Sequence, residues 1–257
     1  MMVSIAALKQ QNAARWAAMH IHADRLPVLD ERAKALCAPD AKARFMAIQE
    51  TTKVPWWVGA VIAEREAGGP PKCWGCQLAQ GDSLDRVSIH EPAGRGPFFN
   101  HADDTPLHNS FYRGALDALI DCPPHAAKWT DWSPGGAFTL LEEYNGLGYA
   151  SMGVPSAYVW SGSDRYTSGK YVADHVYRAS AVDVQEGCAP LVARMMLIDK
   201  SIMGTELVTV PHPVIPAPSN QAPTQSIPVQ PTYPKSTKPL WLWLLEELAH
   251  PIWRQSP

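Results

Sequence analysis

One apolar stretch, VPWWVGAVIAEREAGG at residues 54–69, constrains the fold more than any other part of the sequence. Apolar side chains recur along it at the spacing of one helix face: Val54, Trp57, Val58, Val61 and Ile62. This spacing predicts a helix that packs against a core. Pro55 suits the first turn, where its missing N–H costs no hydrogen bond. Gly68 and Gly69, followed by two prolines, predict an abrupt end to the helix.

Glu66 falls in the last turn of this predicted helix, beside Trp-rich apolar surface. The negative end of the helix dipole and burial both disfavour a carboxylate anion, so we expect a raised pKa for Glu66. A carboxyl group that keeps its proton near neutral pH is suited to general acid catalysis. Glu64, on another face of the helix, is the competing candidate. The structural alternative is a solvated Glu66, or one paired with Arg65 or Lys72.

Several motifs resemble, in order, the lysozyme superfamily of peptidoglycan hydrolases, and more closely one group of bacterial and phage lysozyme-like proteins. They are VPWWVGAVIAERE, LAQGDSL, VSIHEPAGRGPF, GAFTLLEEYNGLGY and SGKYVAD. Together they cover roughly residues 54–196, over half the chain. Their agreement in order is what makes the resemblance specific, since any one motif alone would be weak.

The resemblance implies a mainly α, lysozyme-like α+β fold with a small β-hairpin beside the catalytic helix. We expect that hairpin or extended excursion within residues 84–99, because Val87, Ser88 and Ile89 alternate as a strand would. The remaining segments predict mainly helix. The predicted helices are Ser4–Met19, Asp30–Leu36, Ala41–Glu50, Phe111–Asp121, Ser133–Tyr144 and Ala181–Ile202, the last with Val182 buried.

The resemblance also implies a glycosidase site. Glu66 is expected to be the catalytic acid that protonates the leaving oxygen of a glycosidic bond. Asp82, on a turn after the helix, is a candidate for the second carboxylate, and the alternative is a turn aspartate bonded to its own backbone. The implied substrate-binding residues are Gln80, Tyr144, Asn145, Tyr149 and Tyr158. For the Tyr-Asn-Gly signature the alternative is a helix end followed by core aromatics.

The cysteines and the overall charge limit the other classes of function. The net charge of −3 argues against a nucleic-acid-binding protein, which usually carries a basic surface. Five cysteines leave at least one thiol unpaired in a monomer. Cys73 and Cys76 resemble a thioredoxin dithiol but follow no strand, and with Cys122 and His125 they would form one zinc set. A local disulfide or free thiols are favoured, so no metal and no cofactor are expected.

Composition divides the chain into four segments. An N-terminal helical segment, 1–53, is expected to pack on a lysozyme-like catalytic domain, 54–208. Residues 209–239 form a Pro-rich linker, because nine of the residues from 211 to 239 are proline. Residues 240–257 predict an apolar, Trp-rich C-terminal helix, too short to span a bilayer, that docks on a protein partner or a membrane surface.

The function expected from the resemblance is a lysozyme- or muramidase-like hydrolase of the endolysin type. Its substrate would be peptidoglycan, cut between N-acetylmuramic acid and N-acetylglucosamine, and a lytic transglycosylase is also possible. The alternatives are a non-catalytic wall-binding or virion structural protein, and a chitinase- or chitosanase-like glycosidase. Met1–Leu8 lacks the basic residues of a signal peptide. We therefore expect synthesis in the cytoplasm and action on the wall after release, as in phage lysis.

Overall fold

The computed structural model describes residues 3–173 and 176–203, and this part of the chain is mainly helical with a small two-stranded antiparallel sheet. The helices are α1 (Ile5–Ala17), α2 (Leu26–Leu36), α3 (Pro39–Thr52), α4 (Trp56–Ala67), α5 (Ser110–Leu116), α6 (Pro134–Tyr144), α7 (Gly148–Ser151), α8 (Ala157–Trp160) and α9 (Cys188–Ile198). The strands are β1 (Lys170–Ala173) and β2 (Val176–Arg178). The predicted Pro-rich linker and C-terminal helix lie outside the described residues.

Helix α4 lies at the centre of the core. Ten of its residues are buried, on all sides of the helix, so the predicted packing against a core is confirmed. Pro55 caps its N-terminus, and Gly68 ends it with a φ of 75°. This left-handed conformation is the usual way for a glycine to end a helix. The abrupt end predicted from the sequence is therefore confirmed.

The N-terminal helices pack on the same core. Helix α1 begins after Ser4, whose hydroxyl accepts a hydrogen bond from the N–H of Ala7, and it packs along α6. Trp16 and Phe138 meet across this contact, with ring centroids 4.9 Å apart. Helix α2 packs on α9 and α3 on α4, so residues from Trp16 to Ile202 contribute to one hydrophobic core.

Residues 84–99 form an irregular loop, so the hairpin expected there is absent and the segment matches the alternative, an extended excursion. The alternation is present but inverted: Ser88 is buried, while Val87 and Ile89 are 50% and 79% exposed. The N–H groups of Ile89 and His90 donate to the carboxylate of Asp82, where a strand would donate to a neighbouring backbone. Asp82 thus takes the N–H groups of Ile89 and His90, whereas the N–H groups of Ser88 and Phe98 donate to backbone carbonyls across the loop.

The two-stranded sheet comes instead from residues 170–178, within and just after the SGKYVAD motif. Strands β1 and β2 pair antiparallel, with Lys170 opposite Arg178 and Tyr171 opposite Tyr177. The sheet stands beside the end of α4, because β1 lines the same cleft as Glu66. A small hairpin is therefore present, but later in the chain than the sequence indicated.

Several helix boundaries also differ from prediction: α2 begins at Leu26 and not at Asp30, and α9 ends at Ile198 and not at Ile202. Helix α9 begins at Cys188, not at Ala181, and Val182 is 56% exposed. Side-chain contacts hold residues 181–187 in a non-helical conformation. Asp183 pairs with Arg65, and the hydroxyl of Ser161 donates to the carbonyl of Asp183. The helix predicted to end at Asp121 is α-helical only to Leu116 and finishes as a π-helical turn. None of the described helices is long and apolar enough to cross a membrane.

Candidate active site

Helix α4 ends in an open cleft with a volume of about 620 Å³. The last turn of α4 contributes Arg65 and Glu66 to its lining, and β1 contributes Lys170 to Ala173. The loop residue Glu91 lies on the same cleft, as do Asn145, Tyr149, Tyr158 and Asp183. The volume lies in the usual range for sites that bind small molecules.

Glu66 has the properties of a general acid. Burial at the helix end raises the pKa of Glu66 from 4.5 to about 7, although a hydrogen bond from Tyr158 and the charge of Arg65 act against this rise. The hydroxyl of Tyr158 donates to Oε1 of Glu66 over 2.9 Å. A carboxyl group with this pKa is about half protonated at neutral pH, which suits proton donation.

A chain of contacts holds Tyr158 against Glu66. The guanidinium carbon of Arg65 lies 4.8 Å from the centroid of the Tyr158 ring. Arg65 is buried, and it donates to Oδ2 of Asp183 over 2.8 Å and to the carbonyl of Glu186 over 3.1 Å. Tyr158 was predicted to bind substrate, and that role stays a prediction, but its hydroxyl contact is with the candidate acid.

Glu64 faces away from the cleft. Its Oε1 lies 3.5 Å from Nε of Arg32, and a Cβ added at Gly69 would lie 2.0 Å from its Oε2. Burial raises the pKa of Glu64, against the opposing charge of Arg32. Because Glu64 does not line the cleft, its position favours Glu66 as the acid.

Asp82 does not line the cleft, and its carboxylate is occupied by the loop that follows it. Oδ2 accepts the N–H groups of Ile89 and His90 at 2.8 and 3.0 Å, and Oδ1 lies 2.7 Å from Nδ1 of His90. Burial raises the pKa of Asp82, but these hydrogen bonds outweigh it and hold that pKa below its usual value. Asp82 therefore binds a loop seven and eight positions further on, which is not the expected turn bonded to its own backbone, and its catalytic role stays a prediction.

Gln80 and Tyr144 also lie outside the cleft lining. The amide of Gln80 donates to Oε1 of Gln77 over 3.0 Å, and it lies 3.5 Å from the carbonyl of Pro92. The hydroxyl of Tyr144 donates to the carbonyl of Leu78 over 3.0 Å. Both side chains therefore support the segment around residues 77–92, and their predicted contact with substrate is not evident in this geometry.

Asn145 and Tyr149 do line the cleft. Asn145 is exposed at the end of α6, whereas Tyr149 is buried and its hydroxyl accepts the N–H of Tyr171 over 3.3 Å. The rings of Tyr149, Tyr171 and Tyr177 form a cluster with centroids 5.2 to 6.1 Å apart. Gly148 makes room for this cluster, since a Cβ there would lie 2.2 Å from the Tyr171 hydroxyl.

Three charged residues of the cleft were not singled out from the sequence: Glu91, Lys170 and Asp183. Lys170 donates to Oδ1 of Asp183 over 3.1 Å, so both Lys170 and Arg65 pair with Asp183. Glu91 lies within the motif VSIHEPAGRGPF, and Lys170 lies within SGKYVAD. Membership of these motifs was the sequence signal that could have indicated the two residues. No sequence pattern pointed to Asp183.

The cysteines do not assemble into a metal site in the described part of the chain. All five thiols are free, and residues 3–173 and 176–203 contain no group of three or more His, Cys, Asp or Glu arranged to hold a metal ion. The zinc set considered for Cys73, Cys76, Cys122 and His125 is therefore not formed. Burial raises the pKa of the Cys73 and Cys188 thiols, which disfavours the thiolate form.

No protein-family model, curated protein or solved structure matches this chain. Function must therefore be argued from the residues of the cleft and from the motifs.

Proposed function

We propose that the chain is a glycoside hydrolase of the lysozyme superfamily that cleaves the glycan of peptidoglycan between N-acetylmuramic acid and N-acetylglucosamine. The observation that carries the proposal is Glu66, a carboxyl group at the end of a buried helix, on an open cleft, with a pKa of about 7. The choice of polysaccharide rests on the five motifs. The mainly helical fold with a small sheet beside Glu66 agrees with that class.

The contacts of Glu66 suit it to give up a proton during bond cleavage. In its protonated form the carboxyl group would transfer a proton to the leaving oxygen as the glycosidic bond breaks. The product is a carboxylate, and the hydrogen bond from Tyr158 and the charge of Arg65 both stabilise that anion. Tyr158 occupies Oε1, and we propose that Oε2, which has no hydrogen bond from the described residues, carries the proton that is donated.

The cleft also offers groups that suit a sugar chain. Aromatic rings pack on the apolar face of a pyranose, and amide groups form hydrogen bonds with N-acetyl substituents. The half-buried Tyr171 supplies a ring, backed by the buried ring of Tyr149, and Asn145 supplies an exposed amide on the same cleft. The open shape allows a polymer to enter from the side, as an internal cut in a glycan strand requires.

The test is a turbidity assay with purified cell walls, comparing the wild type with Glu66→Gln and with Glu64→Gln as the matched control. We expect the wild type and Glu64→Gln to clear the suspension and Glu66→Gln to fail. A protein that sediments with the walls without clearing them would be a wall-binding protein. Clearing by Glu66→Gln and not by Glu64→Gln would assign the acid to Glu64.

A second assay identifies the substrate. Chitin and chitosan oligomers, offered in parallel with purified glycan strands, distinguish a muramidase from a chitinase- or chitosanase-like enzyme. Mass spectrometry of the released muropeptides distinguishes reducing ends, formed by hydrolysis, from 1,6-anhydro ends, formed by transglycosylation. We expect reducing ends from peptidoglycan and no release from either of the other polymers.

A further inference from the structure

The loop after α4 is fixed to the end of that helix at Gly81. A Cβ added at Gly81 would lie 2.3 Å from the carbonyl oxygen of Glu66, and Gly81 has a φ of 77°. The N–H of Gly81 donates to the carbonyl of Gln77 over 2.9 Å. The backbone at residue 81 therefore lies directly against the backbone of the candidate acid, and Asp82 is held at a fixed place beside it.

Asp82 in turn holds the two residues that precede Glu91. As described above, its two carboxylate oxygens bind the backbone of Ile89 and both the backbone and the ring of His90. Ser88 fixes the other side of the loop, because its hydroxyl donates to the carbonyl of Pro92 over 3.0 Å. Glu91 thus lies between two anchored positions in an otherwise irregular loop.

Glu91 is an exposed carboxylate on the same cleft as Glu66. Its Oε2 accepts the N–H of Ala93 over 3.3 Å, and no ion pair among the described residues includes it. Asp183, the other acidic residue of the cleft besides Glu66, is neutralised by Arg65 and Lys170. Apart from Glu66, Glu91 is therefore the cleft carboxylate with oxygens available to a water molecule or a sugar.

We propose that Glu91, and not Asp82, is the second carboxylate of the site, and that Asp82 is a positioning residue that holds the loop carrying it. This inference rests on the proposed function. As the bond between the anomeric carbon and the leaving oxygen breaks, Glu66 gives its proton to that oxygen. A water oxygen bonds to the anomeric carbon and its proton passes to Glu91. Exchange with solvent then returns a proton to Glu66 and removes one from Glu91.

The first test replaces Glu91 and supplies a nucleophile that needs no base. Glu91→Ala and Glu91→Gln are expected to lower the rate of muropeptide release by about 100-fold or more. Sodium azide should restore turnover to Glu91→Ala and yield a glycosyl azide, detected by mass spectrometry. The matched control is Asp85→Asn, an exposed carboxylate of the same loop that pairs with Arg86 and lies off the cleft. It should keep the wild-type rate.

The second test is a double-mutant cycle for the positioning role of Asp82. We expect Asp82→Asn to lower the rate in the wild-type background and to have no further effect in the Glu91→Gln background. A residue that only stabilises the fold would lower the rate by the same factor in both backgrounds. Thermal unfolding of each variant separates loss of fold from loss of positioning.

The outcomes separate this inference from the proposed function. If Glu91→Gln keeps the wild-type rate while Glu66→Gln is inactive, the glycosidase stands and the assignment of Glu91 is wrong. Release of 1,6-anhydro ends alone by the wild type would also overturn it, because no water would then attack the sugar. If the wild type cleaves no glycan, the proposed function fails, and with it the role of Glu91.

Discussion

Replacing Glu66 with glutamine should make the protein inactive and, at neutral to alkaline pH, more stable. The amide has nearly the shape of the carboxyl group and still accepts the hydrogen bond from the Tyr158 hydroxyl. It has no proton to donate, so cleavage should stop at every pH. Glutamine also cannot ionise. The variant therefore avoids the free-energy cost of a buried anion, which destabilises the wild type above the pKa of Glu66.

The size of the effect follows from the pKa of Glu66, which burial raises from 4.5 to about 7. Between these values the folded protein keeps a proton that the unfolded chain loses. The contribution to the free energy of unfolding is therefore fully present below pH 4.5 and is lost as pH rises through about 7. Each pH unit in that window amounts to about 1.4 kcal/mol. The whole window gives up to ~3 kcal/mol, an upper limit because the carboxyl group borders an open cleft.

The assay is denaturant unfolding of both proteins at several pH values from 4 to 8. The stability of Glu66→Gln relative to the wild type should rise by up to ~3 kcal/mol across this range. Parallel curves for the two proteins would refute the reasoning, because Glu66 would then ionise as it does in an unfolded chain.

Glu142 provides the matched control for this measurement. It is buried in α6, where burial raises its pKa to about 7 although Arg15 lies 3.7 Å away, and it does not line the cleft. Glu142→Gln should show the same gain in stability with rising pH while keeping wild-type cleavage. Loss of activity in Glu142→Gln would mean that removing a buried charge, and not the acid itself, explains the inactive Glu66 variant.

Three further predictions concern the surroundings of Glu66. Wild-type cleavage should be highest below pH 7 and fall as Glu66 ionises, which a pH–rate profile measures. Tyr158→Phe removes the hydrogen bond that stabilises the carboxylate, so the alkaline limb of that profile should move to higher pH and the maximal rate should fall. Asp183→Asn leaves the buried Arg65 without its ionic partner and should lower the free energy of unfolding by about 3–5 kcal/mol. An unchanged denaturant midpoint would contradict that last expectation.

Local signals in the sequence predicted the helices well. Ser4, Ser133 and Gly68 each mark an end of a helix through a cap that depends only on neighbouring residues. The end of α4, and with it the position of Glu66, could be located in this way because capping acts within one turn. The arrangement of the helices in space could not be predicted from such local signals, because it depends on contacts between distant segments.

The parts that could not be predicted depend on such distant contacts. Arg65 and Asp183 are 118 positions apart, and a charged residue in an apolar helix gives no indication of its partner. The loop at residues 84–99 was misinterpreted because its alternation suits a strand, yet the carboxylate of Asp82 takes the N–H groups that a strand would use. The same contact brings Glu91 to the cleft, so the position of Glu91 could not be predicted either.

The contact between residue 81 and the helix end can be tested with a pair of glycines. Gly81 and Gly94 have nearly the same φ, 77° and 78°, so alanine should suffer a similar backbone strain of about 1–2 kcal/mol at each. They differ in their surroundings, since a Cβ at Gly94 meets nothing within 4 Å, whereas one at Gly81 meets the Glu66 carbonyl oxygen at 2.3 Å.

Gly81→Ala should therefore lower the free energy of unfolding by clearly more than Gly94→Ala does, because the loop must move away from α4 to accommodate the methyl group. That movement would carry Asp82, and the loop it holds, away from Glu66, so cleavage should fall in Gly81→Ala and persist in Gly94→Ala. Denaturant unfolding and wall clearing of the two variants provide the comparison. Equal losses of stability and activity in both would show that strain alone acts at residue 81, and that the loop is not fixed to α4 at this point.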